Sequence, residues 1–342
     1  MNKHWLTLVP LLTAIIPASA QSGVLDRVDE ALAWKSPNGW FRADASGLLD
    51  LETYYIDQRP PGLLFPDDDW FFNPRLSLFL DIHMGHHLYA FAQARFDRGF
   101  DPGARPDGAS RLDEYLLRYT PFDDSRVNVQ VGKFATVVGN WVQRHDSWNN
   151  PFITAPVPYE NVMTMSDGAA PAAPGGFVGR RNLTDLKGRW LPIVWGPAYT
   201  SGASVFGKIE RFNYAFEFKN ASISSRPTVW DATNLSWEHP TISGRLGYQP
   251  AAAWDFGVSF SHGTYMLPVS EKTLPAGKTL DDFNQLTVAY DASYSWHHWQ
   301  LWGEFYFSRF DVPNVGPADT AAWYLEAKYK ITPSLFAAVR FN

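Results

Sequence analysis

The sequence predicts an all-β membrane protein, an antiparallel transmembrane β-barrel with lipid outside and water inside. Three observations carry this. From Trp40 to the C-terminus the chain breaks repeatedly into segments of about ten residues in which every second side chain is apolar or aromatic. A short apolar leader precedes them, and no later stretch is apolar for long enough to cross a bilayer as a helix. Aromatic residues make up 16% of the chain, with 15 Trp and 15 Tyr, the types that anchor at the two lipid–water interfaces.

The leader comes first. Lys3, the apolar run from Leu6 to Ile16 and the small residues Ala18-Ser19-Ala20 form a secretory signal over residues 1–20. Its removal takes Lys3 with it and moves the formal charge from −6 to about −7. Residues 21–38 read as a periplasmic leader, with helical spacing over 24–33 in Val24, Leu25, Val28 and Leu32. Residues 39–342 form one barrel domain. The chain has no cysteine, which excludes a disulfide framework and cysteine metal sites and fits a bacterial envelope. A mean hydropathy of −0.24 is what a wall with one polar face gives, because averaging hides alternation. A secreted β-sandwich alternates too, but it seldom needs so many strands this long and this aromatic.

The cleanest strand is 285–296. Leu286, Val288, Tyr290, Ala292, Tyr294 and Trp296 share one face, and Gln285, Thr287, Asp291, Ser293 and Ser295 share the other. The first strand is 41–55. Hairpins follow at 75–84 with 88–97 through Gly85-His86-His87, and at 112–119 with 126–134 through Pro121-Phe122-Asp123-Asp124. Four more join 199–207 to 212–220, 241–248 to 254–262, 285–296 to 299–309, and 321–330 to 335–341. The count is about 13. Short turns alternate with long loops, placing the short ones at the periplasmic end.

Residues 135–197, about sixty in all, are far too long for an ordinary loop. They hold Asn149-Asn150-Pro151-Phe152, Pro156-Val157-Pro158-Tyr159-Glu160 and Gly179-Arg180-Arg181. This order resembles the sixteen-stranded bacterial porins, whose third external loop, after the fifth strand, folds into the lumen and narrows it. Val129-Gln-Val-Gly-Lys-Phe-Ala135 is similar to a strand end of the phosphate-selective porin superfamily. The resemblance rests on topology over nearly the whole mature chain. It implies a bacterial outer-membrane location, passive diffusion of small hydrophilic solutes, a homotrimer, and contact with membrane lipids and lipopolysaccharide. It implies no enzyme activity, no cofactor, no metal and no nucleic acid. A complete porin ends on an inward-running strand, whereas this chain ends Arg340-Phe341-Asn342. The expectation is a sequence lacking about three strands of sixteen, with a miscount by one as the alternative.

Strand parity assigns Arg42, Arg75, Arg95 and Arg126 to the lumen. The resemblance implies that such a basic cluster faces acids on the infolded loop, here Asp146, Glu160 and Asp167. The plainer reading pairs each charge with a wall neighbour, for example Arg95 with Asp81. Parity also turns Tyr89, Phe91, Trp302, Tyr306 and Tyr324 inward, where they are candidates either for stacking sugar rings or for packing behind the loop. A sugar- or anion-selective pore is therefore a second reading, although the negative balance weighs against an anion ladder. A third, from another class, is an outer-membrane phospholipase-like hydrolase using His145 and Ser147, since spacing i, i+2 sets base and nucleophile side by side on a strand. Residues 141–151 do not alternate, however, and they lie in the long loop. Asp67-Asp68-Asp69, His83, His86 and His87 read as loop and turn residues rather than metal ligands. Two predictions follow from parity: Leu286, Val288, Tyr290, Phe212, Tyr214 and Phe216 point out, and Asp291, Ser293, Glu217 and Lys219 point in.

Overall fold

The structure, a computed structural model, describes residues 30–58, 62–64, 68–98, 108–183, 188–226 and 237–342. The signal segment, residues 24–29 and Asp67 lie outside the described residues.

A period-two pattern gives one continuous apolar face only in extended backbone, and strands form where the alternation runs. β1 spans Ala33–Lys35, β2 Phe41–Tyr55, β3 Trp70–Met84, β4 Leu88–Asp97, β5 Ala109–Tyr119, β6 Asn128–Phe134 and β7 Thr200–Ile209. β8 spans Phe212–Lys219, β9 Thr241–Tyr248, β10 Trp254–Thr264, β11 Asn284–Trp296, β12 Trp299–Val312, β13 Gly316–Thr332 and β14 Leu335–Phe341. All fourteen join one antiparallel sheet in chain order. Among the described residues the sheet is not closed: β1 and β14 each have a single partner strand.

The predicted parity holds. Leu286, Tyr290, Phe212 and Phe216 are exposed on the outer face, while Glu217, Lys219 and Asp291 are buried on the inner one. The outer face is apolar along the sheet, with Leu51 67% and Trp70 69% exposed. A charge at the centre of such a face in lipid costs about 2–4 kcal/mol, so a slip by one residue in any strand is heavily penalised.

Several boundaries differ from the sequence reading. The fourteenth strand is β1, which pairs Ala33–Lys35 with Asp44–Arg42; of the expected helix, residues 30–32 are helical. β6 starts at Asn128, which leaves Arg126 in the turn. β12 and β13 extend toward each other, so the expected long loop there is the tight turn Pro313-Asn314-Val315, with Asn314 at φ 61°. Pro317 sits within β13 opposite Asp311. A single proline at a non-donating position is compatible with a strand. β5 carries a bulge: Gln93 faces Glu114 and Ala94 faces Leu112, which leaves Asp113 unpaired. The extra residue breaks the alternation and turns both Asp113 and Glu114 to the inner side, where Asp113 is fully buried.

Candidate functional site

The long segment between β6 and β7 lies against the inner face of the sheet. Its backbone leaves a strand at Phe134 and needs partners for N–H groups that no ladder supplies. Inward carboxylates of the wall supply acceptors. Glu114 of β5 accepts from Ala135 N–H at 2.8 Å. Glu217 of β8 accepts from the Thr136 hydroxyl at 2.6 Å and from Val137 N–H at 3.2 Å. Glu304 of β12 accepts from the N–H groups of Asn140 and Trp141 at 2.5 and 2.7 Å, and from the Tyr159 hydroxyl at 2.6 Å. Such charge-assisted bonds are about twice as strong as neutral ones.

Arg144, at the end of the 3-10 turn Trp141–Arg144, pairs with Glu326 of β13 at 2.5 Å and lies over the Trp302 ring at 4.4 Å. Glu326 also holds Arg340 of β14 at 2.6 Å, and Arg340 donates to the Thr154 carbonyl at 2.7 Å. Two residues past Arg144, Asp146 lies 3.7 Å from Arg95 of β4. One short stretch of chain thus meets strands from opposite parts of the sheet, so the sheet curls around it.

The close approach has a steric condition. Gly139 has φ +77°, and a Cβ there would fall against the hydroxyls of Tyr306 and Tyr159. Only glycine adopts this conformation at little cost and admits that contact. Beneath the loop Val138, Trp141, Tyr159, Ile193 and Val194 pack on Ala289, Tyr306 and Tyr324 of the wall. A second cluster joins Met165, Leu191, Trp195 and Tyr199 to Leu63, Tyr265, Leu280 and Phe310. Burial pushes the Tyr159 hydroxyl well above its ordinary pKa, reinforced by Glu304, so it remains a donor.

The sequence candidates separate into those the loop meets and those it does not. Arg75 is held by Asp50 and Glu52 at 3.1 and 2.6 Å and lines a cavity of about 320 Å³ at the long-loop end, together with Arg95, Phe152 and Glu160. Arg95 pairs with Asp113 at 3.0 Å rather than with Asp81, which instead accepts from the Tyr89 hydroxyl at 2.5 Å. The bulge that aims Asp113 inward is the reason. Arg42 pairs with Asp44 beside the leader, and Arg126 lies over Phe122 in its turn with its side chain half exposed; among the described residues neither bonds the long segment. Asp167 pairs with Arg226 at 2.8 Å, not with the early-strand arginines; burial raises its pKa, and Arg226 opposes that rise.

Of the inward aromatics, Tyr306 and Tyr324 are 0% exposed under the loop and offer no face to a solute. Trp302 lines a cavity of about 420 Å³ with Arg245 and Lys328, and Tyr89 lines one of about 640 Å³ at the short-turn end.

His145 and Ser147 do not pair. His145 Nδ1 donates to the Val142 carbonyl at 2.6 Å, and Nε2 accepts from the Tyr199 hydroxyl at 2.6 Å. Ser147 donates to Asp50 at 2.5 Å. Both ring nitrogens are taken, so the imidazole has no lone pair free for the serine. His145 lines both the cavity at the long-loop end and the one at the short-turn end, in the layer between them. Burial lowers its pKa below the ordinary value, while Asp146 works in the opposite direction.

Sequence reasoning missed Glu114, Glu304, Glu326, Arg144, Arg340 and Gly139. The available signal was parity: Glu304 and Glu326 fall on inward positions of recognised strands.

No family model matches the chain, and no curated protein matches it. Among solved structures it is similar to the anion-selective porin from Comamonas acidovorans, at 12% identity and a TM-score of 0.47 over 87% of this chain and 78% of that one. It is also similar to the outer membrane channel DcaP of Acinetobacter baumannii, at 11% identity and 0.47 over 90% and 79%. A third is Salmonella typhi OmpF in complex with daunomycin, at 11% and 0.42 over 90% and 92%.

Proposed function

We propose that the chain is a bacterial outer-membrane porin that passes small hydrophilic solutes by diffusion down their gradient, with no chemistry and no energy coupling. The observation that carries this is the segment between β6 and β7, laid across the polar inner face of a sheet whose outer face is apolar. A sheet of this size with a polar interior and a greasy exterior matches a bilayer, and a chain crossing its interior narrows the path rather than filling it. Cavities remain on both sides of the crossing.

In this reading residues 1–20 are the export signal, 21–38 a periplasmic leader and 39–342 the pore wall, which meets membrane lipid and lipopolysaccharide. Homotrimer formation belongs to the same proposal. Asn149 to Glu160, with Arg75, Arg95 and Asp146, form the filter. Sugar selectivity gains little support from aromatics two of which are covered.

The test is reconstitution. The purified protein should conduct ions across planar bilayers and let small sugars swell liposomes. Deleting residues 149–160 should raise conductance and weaken ion selectivity. A protein that inserts without conducting, or a deletion with unchanged conductance, sinks the proposal.

A further inference from the structure

Across β4–β7 one register row sets Tyr89 opposite Arg118, Arg118 opposite Gln130, and Gln130 opposite Ser204. All four line the cavity of about 640 Å³ at the short-turn end. The Arg118 guanidinium reaches across β6. Its central carbon lies 5.3 Å from the Tyr89 ring centroid and 5.0 Å from that of Phe206 on β7. Nε and Nη2 both donate to Gln130 Oε1, at 3.2 and 3.0 Å. Both rings lie within cation–π range of the guanidinium, and an amide takes one edge. The remaining edge, with Nη1 and the outer N–H of Nη2, has no protein acceptor among the described residues. A guanidinium edge of this kind presents two parallel N–H groups, the geometry that a carboxylate accepts.

Two further observations point the same way. Ser204 Oγ, two residues along β7 from Phe206, is buried with no hydrogen-bond partner. A buried hydroxyl without a partner is costly in a folded wall and needs a partner from outside the described residues. Two acids of this cavity face other cations, Asp255 with Arg245 at 3.2 Å and Asp146 with Arg95 at 3.7 Å, and Glu114 accepts from Ala135 N–H at 2.8 Å. Arg118 has an amide for a partner, not a carboxylate, and so does Lys208, which bonds Gln249 at 2.6 Å. Phe91 and Leu116 add apolar wall beside the row.

We infer that Arg118 and Ser204 form a binding subsite on the inner wall for a small carboxylate with a flat apolar body. The carboxylate sits on the open guanidinium edge and the Ser204 hydroxyl, and the body lies against Phe91 and Leu116. This deepens the porin reading, because a solute reaches the cavity through the lumen. Acetate lacks the body and benzamide lacks the charge, so benzoate is the probe that matches both halves of the site.

The experiment has two arms on the full-length protein. In detergent, calorimetric titration should show benzoate binding at least about tenfold tighter than acetate or benzamide, and R118Q should lose about tenfold of that affinity, as expected for one charge-assisted bidentate pair. R118K should recover part of the loss, and S204A should weaken binding about tenfold, the loss of one hydrogen bond to a charged group. In bilayers, benzoate should block the potassium chloride current of the wild type and block R118Q less. Conductance without benzoate binding, or binding unchanged by R118Q and S204A, overturns the subsite and leaves the porin reading standing. Binding without conductance overturns the porin reading and leaves the subsite.

Discussion

Replacing Glu304 by alanine should loosen the crossing segment more than any other single change in the wall. Its carboxylate accepts from Asn140 N–H at 2.5 Å, Trp141 N–H at 2.7 Å and the Tyr159 hydroxyl at 2.6 Å, and the side chain is 4% exposed. Alanine strands three buried donors, each at about 1–3 kcal/mol, so the summed cost is about 3–9 kcal/mol before relaxation. Water from the neighbouring cavities would reach some of them, which favours the lower end, about 3 kcal/mol. Glutamine keeps one acceptor oxygen and turns an N–H₂ toward the Tyr159 hydroxyl, which is able to accept, so Glu304→Gln should cost about 1 kcal/mol. The cost falls on the segment rather than the strands, because β12 keeps its ladders to β11 and β13. Two assays read it. Limited proteolysis should cut within residues 135–160 sooner in Glu304→Ala than in Glu304→Gln or the wild type. Single-channel conductance should rise and grow noisier in the same order. Alanine and wild type alike in both assays would refute the claim that wall carboxylates hold the crossing.

Gly139→Ala should show a similar loosening by another route: φ +77° costs a non-glycine residue about 1–3 kcal/mol, and the new methyl meets Tyr306 and Tyr159. A melting temperature equal to the wild type's would contradict it. Arg95→Ala removes one partner of the buried Asp113, a loss of about 3–5 kcal/mol for a broken buried pair, toward the lower end because Arg111 still holds Asp113 at 2.6 Å; denaturant unfolding in detergent checks it. His145 gives a pH dependence. Its folded pKa is lowered, first by burial, so below the ordinary value of about 6.5 the unfolded chain binds a proton that the folded chain does not. That stability is present above about pH 6.5 and is lost as pH falls toward the lowered value, and His145→Gln should flatten the slope of melting temperature between about pH 7 and 5. An unchanged slope would assign the acid sensitivity to other groups.

The wall was legible because alternation is a local property. Gln285 to Trp296 announces its two faces within one strand, and a slip by one residue would turn Asp291 outward. β1 was not legible, since three residues hold too little alternation to outweigh helical spacing just before them. The β5 bulge was invisible for the same reason: one extra residue changes parity without changing composition, and it decided that Arg95 pairs with Asp113. The crossing segment was legible by length and position. Its contacts were not, because they join residues far apart in sequence, such as Trp141 with Glu304. Charge type misled as well. Arginines on early strands suggested a basic wall facing an acidic loop, yet most of the contacts run from loop N–H groups and Arg144 to wall glutamates.

That reversal bears on how the formal charge of −6 should be read. A chain crossing a wet interior carries donors that no ladder satisfies, and ionised carboxylates are the strongest acceptors a strand can aim at them. Glu114, Glu217 and Glu304 are engaged in this way, and Glu326 is shared by two arginines. An acid that holds arginines, as Glu326 does, has the opposite charge at short range, whereas an acid that holds neutral N–H groups keeps its charge in the field a solute meets. Among the described residues Arg118 and Lys208 hydrogen-bond to amides, and they keep their charge toward the cavity. The formal charge of the sequence therefore does not give the sign of the lumen, which follows from which charges the fold has already paired.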